Sequence, residues 1–171
     1  MKIKIPILII LIFPVLFSCQ IEKKNSEYPA NIGDIEFNPD TDNKDYNLCF
    51  RKYIFQYFNY TSETENYKGE KIEIDKIFFM QYKNQNIPNE TGLVRIRFIV
   101  NCKGETDRFR MIEMDEHYKP KNFDSKITSQ LMGISKGLKG WKSKKINEHD
   151  VDYYQYLIFK IENGNLIEIM P

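Results

Sequence analysis

The clearest pattern in the chain is the period of two between Gly92 and Val100, where one set of apolar residues alternates with Leu93, Arg95, Arg97 and Ile99. The period of two predicts a β-strand, because a helix could not bury such a set on one side. The alternating apolar residues are Val94, Ile96, Phe98 and Val100. Gly104 favours a tight turn, so the segment Thr106–Met114 is predicted to return as the second strand of a hairpin. The apolar phase slips along this return strand, which indicates a β-bulge near Met111.

Three other segments have helical spacing. The first, Leu48–Tyr60, has apolar residues at i, i+4, i+7 and i+8, although its many aromatic residues also favour a strand. The second lies between Gly69 and Pro88, and its stripe consists of Ile74, Ile77, Phe78 and Gln81. The third is predicted to begin with Asp124 as its N-cap and to end near Gly137 or Gly140. Its stripe consists of Ile127, Leu131, Ile134 and Leu138.

The last alternating segment is Tyr153–Ile161. It is expected to turn Leu157, Phe159 and Ile161 inward and Tyr154, Tyr156, Ile158 and Lys160 outward. The Asn163-Gly164 pair then predicts a turn into a short strand over Leu166–Ile169. These elements predict an α+β fold, in which a small antiparallel sheet packs against helices.

The first nineteen residues predict the compartment. Lys2 and Lys4 precede a thirteen-residue apolar run from Ile5 to Phe17, which is typical of a secretory signal and too short for the ~20 residues of a membrane-spanning helix. A retained membrane anchor is the alternative. The run ends in Leu-Phe-Ser-Cys at positions 16–19, which resembles a bacterial lipobox and implies that Cys19 is lipidated and anchored in a membrane.

The resulting division of the chain is simple. Residues 1–18 are expected to form a lipoprotein signal peptide, residues 19–31 a lipidated cysteine with a polar tether, and residues 32–171 one domain. The expected location is the bacterial cell envelope, most simply the outer membrane with the domain facing the periplasm. The formal charge of the whole chain is +1, which gives no electrostatic reason to expect nucleic acid as a partner.

Cys49 and Cys102 remain after lipidation, in a compartment where disulfides persist. A bridge between them and a pair of unbridged thiols are both open at this point. A bridge would close a separation of 53 residues (102 − 49) and remove roughly 4 kcal/mol of unfolded-state freedom on the chain-entropy model.

The segment from about Gly69 to Ile161 resembles the TonB C-terminal domain family. The most specific part is Gly92-Leu93-Val94-Arg95-Ile96-Arg97-Phe98-Ile99-Val100 with Gly104 in the turn, followed by a helix that ends at Gly140-Trp141-Lys142. Ser143 stands where the family usually has proline, and a polar run over residues 147–150 replaces an expected glycine. The inner-membrane helix and Pro-rich linker of the energy transducers are not found, so energy coupling is not expected to carry over.

The resemblance implies a binding module that takes up a short extended segment of an outer-membrane transporter or other envelope protein by strand addition. The matching edge would be Tyr153–Ile161, with Tyr154, Tyr156 and Ile158 as the partner-binding residues. The ordinary alternative is that these tyrosines cover the sheet. A structural or assembly lipoprotein that associates with itself or with the cell wall, and whose segment Leu48–Tyr60 covers the sheet edge, is the second hypothesis.

Other chemistry is poorly supported. His117 and His149 each lie among carboxylates in charged segments, but their spacing suggests no third ligand, so neither a metal nor another cofactor is expected. No nucleophile motif or phosphate-binding loop occurs, and an enzyme is therefore not expected. Arg95, Arg97, Arg108 and Arg110 form either a basic patch or, by preference, cross-strand pairs with Glu105 or Glu113.

Overall fold

The computed structural model describes residues 33–50, 53–56 and 66–170. Within those ranges the chain forms two α-helices and six β-strands. The helices are α1 (Glu70–Gln81) and α2 (Ser125–Gly137); the strands are β1 (Gly92–Val100), β2 (Thr106–Met114), β3 (Lys144–Ile146), β4 (His149–Val151), β5 (Tyr153–Glu162) and β6 (Asn165–Met170). The predicted α+β class is confirmed, as are the second and third helices, the hairpin and the closing strands.

Strands β2, β1, β5 and β6 form one antiparallel sheet in that order. Two turns fix the register of its hairpins: Gly104 has φ +77° between β1 and β2, and Asn163-Gly164 joins β5 to β6 with both residues at positive φ, as a two-residue hairpin turn requires. The polar run that departs from the family pattern forms a separate small hairpin of β3 and β4. The consequence of this order is that β1 and β5 are the central strands.

Both helices pack on one face of the sheet. The N-cap predicted for α2 is present, because the Asp124 carboxylate accepts a hydrogen bond of 2.8 Å from the Lys126 N–H. Phe78 of α1 meets Phe159 of β5 with ring centroids 4.7 Å apart, and both side chains are fully buried. Trp141, which follows α2, packs against Phe98 of β1 on the same face. This face holds the main apolar core.

The predicted helix over Leu48–Tyr60 is wrong where the structure describes this segment. Residues 53–56 are extended, and Phe55 makes a parallel bridge to Tyr153 at the start of β5. The Phe55 N–H donates to the Asp152 carbonyl at 2.9 Å, and the Phe55 carbonyl accepts from the Tyr154 N–H at 2.8 Å. Pairing of the Phe55 backbone with β5 has replaced the helical hydrogen bonds. Residues 51–52 and 57–65 lie outside the described residues.

The predicted bulge is present, but not at Met111. The register between β1 and β2 shifts where Arg97 pairs with Arg110 and Ile99 pairs with Asp107, so β2 contains one extra residue. Arg108 lies in this bulge with φ +56°. The irregularity therefore falls three residues before Met111.

Candidate functional site

The strand predicted to offer a free edge to a partner is a central strand of the sheet. β5 pairs with β1 along nearly its whole length, with β6 from Ile158 onward, and with Phe55 at its beginning. Tyr154 is 1% exposed, and Tyr156 is half-buried with the Arg95 guanidinium 4.7 Å from its ring centroid. These two residues and Ile158 therefore lie on a face of a central strand, and the prediction that they form an edge is wrong.

The β6 strand is an edge of the sheet. It pairs only with β5 among the described residues. A bulge places Ile167 between the positions that pair with Lys160 and Ile161, and 45% of the Ile167 side chain is exposed. At the opposite edge, the end of β2 is covered, because the Glu113 carbonyl accepts from the Lys121 N–H. Three of the six residues of β6 are exposed, whereas none of the nine residues of β2 is, so β6 is the more accessible edge for a further strand.

A segment that begins extended and ends in a turn over residues 38–42 crosses the sheet face opposite the helices. We call residues 33–42 the N-terminal strap, and the residues that hold it the arginine face. The arginine face consists of Arg97, Arg108, Arg110 and Tyr154. Ile35 of the strap is buried with Ile54, Ile99 and Tyr154 in a second, smaller apolar cluster. The strap thus covers part of the sheet through both apolar and polar contacts.

Arg97 holds the first residue of the strap. Its guanidinium donates to the Gly33 carbonyl at 2.8 Å and to Gln56 Oε1 at 3.1 Å, and it lies 4.0 Å from the centroid of the Tyr154 ring. The side chain is only 3% exposed. The Tyr154 hydroxyl accepts from the Ile35 N–H and donates to Asp34 Oδ1 at 3.0 Å. Burial raises the pKa of Tyr154, so this hydroxyl keeps its proton as a donor.

Arg110 holds the end of the strap. It makes a bidentate ion pair with Asp42, with both N–O distances at 2.7 Å, and also donates to the Glu36 carbonyl. Burial acts to raise the pKa of the Asp42 carboxyl, but the hydrogen bonds from Arg110 and from the Asn38 N–H outweigh it, so that the pKa lies below its usual value. Bidentate pairs of this kind are both strong and directional.

The pairing with Glu105 or Glu113 is therefore wrong for three of the four arginines, and for Arg95 it stays a prediction. Arg97 and Arg110 bind the strap, and Arg108 donates to the Ile35 carbonyl at 3.3 Å. The two glutamates have other partners: Glu113 accepts from the Phe123 N–H and Glu105 from the Asn101 amide. Sequence reasoning missed Asp42, although one signal was available. Residues 33–42 contain four acidic side chains and no basic one, which complements the arginines.

Cys49 and Cys102 form a disulfide, with their Cα atoms 6.0 Å apart. The bridge joins the segment that follows the strap to the turn between β1 and β2. Asp152, fully buried, lies beside it: its carboxylate accepts from the Phe50 N–H at 2.8 Å and from the Cys102 N–H at 3.2 Å. Asp152 was not identified from the sequence, and nothing in its local pattern marks it.

The potential metal ligands give no metal centre in this state. The three side chains that come within 4.8 Å of one another in the described part of the chain are Cys49, Cys102 and Asp152. Both sulfurs are consumed by the disulfide, whereas metal binding requires thiolates. His117 is exposed in a turn beside Glu116, and His149 is exposed in β4. The two histidines belong to separate surface elements.

The comparisons with known proteins supply no relative. No protein-family model matches the chain, and neither a curated protein nor a solved structure matches it. Among the described residues, no helix has the length and apolar character needed to cross a membrane. Cys19, together with the expected signal peptide and tether, lies outside the described residues.

Proposed function

We propose that this protein is a lipid-anchored, non-enzymatic binding module of the bacterial cell envelope, similar to the TonB C-terminal domain. Three features support the proposal: the signal-like start with Cys19, the strand motif from Gly92 to Val100, and the observed order of hairpin, helix and closing strands. The observation that carries it is the edge strand β6, whose backbone can pair with an extended segment of a protein or peptide.

Strand addition is proposed at β6 and no longer at β5. Two central strands cannot accept another strand, whereas Asn165–Met170 has a partner on one side in the described structure. The exposed Ile167 offers an apolar contact beside the backbone, and the exposed Glu168 adds a charge that would favour a partner with a basic residue. Main-chain hydrogen bonds would supply affinity and these side chains selectivity.

Self-association is the second candidate function. It is favoured by one specific observation: the edge that the family resemblance indicates is closed in part by Phe55, as the structural hypothesis expects of the segment Leu48–Tyr60. An open β6 edge can also pair with β6 of a second copy, as unprotected edges commonly do. In that case the domain would be an assembly element without a transporter partner.

Photocrosslinking in cells tests both candidates. A photoreactive residue replaces Ile167 on β6, and the matched control replaces Ser129, which is exposed on α2. Mass spectrometry identifies the adducts. A discrete adduct with an envelope protein from position 167 alone supports strand addition, and an adduct with the protein itself supports assembly. The same adducts from both positions, or none from position 167, would contradict a role for the β6 edge.

The Ile167→Lys variant sharpens the test. A lysine at this position keeps the strand exposed but places a charge on the edge, which natural proteins use to prevent pairing. Loss of at least four-fifths of a crosslink taken from a neighbouring β6 position is expected. Ile72→Lys is the control, because Ile72 is 77% exposed on α1, away from the edge. Loss of the crosslink in both variants would point to a general effect of surface charge.

A further inference from the structure

The N-terminal strap is bound in the manner of a peptide ligand. Three of its carbonyl groups, those of Gly33, Ile35 and Glu36, accept hydrogen bonds from arginine side chains of the sheet. These hydrogen bonds are made to main-chain carbonyl groups, so they do not depend on which side chains the bound segment carries. The side-chain contact with the strongest geometry is the ion pair between Asp42 and Arg110. An acidic segment that is extended at its start and turns at its end, as residues 38–42 do, could make the same set of contacts.

The strap is mostly exposed. Of residues 33–42, only Ile35 and Asp42 are buried. The disulfide enters the chain at Cys49, on the C-terminal side of the strap, and so does not tie the strap itself to the sheet. A segment with few buried apolar contacts opens at a much lower free energy than the whole domain.

Opening would leave a cationic site. It would uncover Ile99 and Tyr154, which are 0% and 1% exposed with the strap in place. It would also leave Arg97 and Arg110 without the carbonyl and carboxylate oxygens that they now contact in the strap. Water would replace the strap oxygens, while Gln56 and the Phe109 carbonyl would remain as partners of Arg97 and Arg110. The open site would therefore carry positive charge and favour an anionic replacement, because guanidinium groups make strong charge-assisted hydrogen bonds to carboxylates.

We propose that the arginine face is a binding site for an acidic peptide segment, and that the N-terminal strap occupies it as a releasable internal ligand. The site lies on a face of the sheet and is distinct from the β6 edge, so it does not rest on strand addition. Because the strap is covalently attached, its effective concentration is of the order of millimolar. A peptide in solution therefore meets a site that is mostly occupied, and its apparent affinity falls with the open fraction.

The experiment uses the full-length protein in mild detergent and a fluorescein-labelled peptide with the sequence of residues 33–42. Fluorescence anisotropy compares the wild type with Asp42→Ala, which removes the ion pair that holds the end of the strap. The variant is expected to bind the peptide at least tenfold more tightly than the wild type. Asp40→Ala is the matched control, because Asp40 is exposed and makes no contact with the arginine face among the described residues.

Two further measurements identify the site and the chemistry. Adding Arg110→Gln to the Asp42→Ala variant should weaken peptide binding at least tenfold. A peptide in which the four acids are replaced by their amides should bind the Asp42→Ala variant at least tenfold less tightly than the acidic one. Equal peptide binding by wild type and Asp42→Ala, or equal binding of the acidic and neutral peptides, would overturn the proposal.

Amide hydrogen exchange tests release without any substitution. In the wild type, the amide of Ile35 donates to the Tyr154 hydroxyl of β5, so its exchange reports the closed strap. It is expected to exchange at least a hundredfold faster than the amides of β1 and β5. If it exchanges only as slowly as the central strands, the strap opens with global unfolding alone and is not a releasable ligand.

Discussion

Replacing Cys49 and Cys102 together by alanine should lower the free energy of unfolding substantially. The bridge closes a loop over 53 residues of sequence separation. On the chain-entropy model such a loop restricts the unfolded state by about 4 kcal/mol. The total free energy of unfolding of a domain is usually about 5–15 kcal/mol, so this contribution is a large share of it. Asp152 keeps its two backbone donors in the variant only if residues 50 and 102 remain in place, so local loosening adds to the loss.

Urea unfolding followed by tryptophan fluorescence measures this change. The chain has one tryptophan, and Trp141 is 6% exposed against Tyr67 and Phe98, so its emission reports the core. With an m-value of about 2 kcal/mol per molar urea, a loss of about 4 kcal/mol moves the midpoint by about 2 M. The wild type treated with a thiol reductant is the control for the substitutions themselves, because it loses the bridge and keeps the sulfur atoms.

The refuting result is a small change. If the variant and the reduced wild type both lose less than about 1 kcal/mol with an unchanged m-value, the bridge does not restrict the unfolded chain in the way that the loop model requires. If the variant loses much more stability than the reduced wild type, the loss would instead come from how the two alanines pack.

Three other predictions concern the strap, the hairpin and the core. A double-mutant cycle of Asp42→Ala and Arg110→Gln should give a coupling free energy of about 1.5–3 kcal/mol at pH 7, as for a hydrogen bond between charged groups. The pKa of Asp42 is lower in the folded state than in the unfolded state. The stabilisation should therefore be fully present above the unfolded-state pKa and disappear as the pH falls through the folded-state pKa. Gly92→Ala should lower the free energy of unfolding by more than about 2 kcal/mol, because φ at Gly92 is +145° and a Cβ would collide with a backbone carbonyl. Gly133→Ala in α2, where a Cβ would meet open space, should raise it by about 0.5–1 kcal/mol. Equal effects of the two substitutions in urea unfolding would contradict this reasoning. Phe78→Ala should cost about 3–5 kcal/mol in the same assay because the side chain is fully buried, and a loss below about 1 kcal/mol would mean that α1 does not pack on the sheet in solution.

The elements with a strong local signal could be predicted from the sequence. One face of β1 is apolar at every second residue from Val94 to Val100 and a glycine follows in its turn, and α2 combines a regular stripe with the Asp124 cap, so local preference and tertiary packing agree. The segment around Phe55 differs because its apolar spacing fits a helix while its aromatic side chains suit a strand. Tertiary pairing with Tyr153 decided the outcome, and no local pattern records that pairing.

The sequence contains a pattern that predicts a central position for β5. The Asn163-Gly164 turn predicts that the strands on its two sides pair with each other. β5 therefore has β6 on one side, and it cannot be the free edge on that side. The near-continuous apolar and aromatic run from Tyr153 to Phe159, interrupted by Gln155, points the same way, because strands covered on both faces lose their alternation.

The candidate site was harder to predict because its contacts depend on long-range pairing of charges. Arg110 and Asp42 are 68 residues apart in sequence, and Arg97 binds the Gly33 carbonyl across 64 residues. A backbone carbonyl that accepts a hydrogen bond cannot be identified from the sequence, because every residue has one. The acidic composition of the strap was visible, but only the arrangement of β1 beside β2 brings the arginines to one surface.

The two faces of the sheet are covered by contacts of different kinds, and this difference has a mechanical consequence. The helix side is held by a large apolar core, whereas the strap contributes one buried apolar side chain, Ile35, and several polar contacts. A segment with few buried apolar contacts opens at a lower free energy than a large core. If Cys19 anchors the chain in a membrane as proposed, a force along the tether reaches the Gly33 contact with Arg97 first, then those of Ile35 and Glu36, and then the Asp42 ion pair. The disulfide at Cys49 lies just beyond them, so the same force could release the whole strap while the sheet and its helices stay folded.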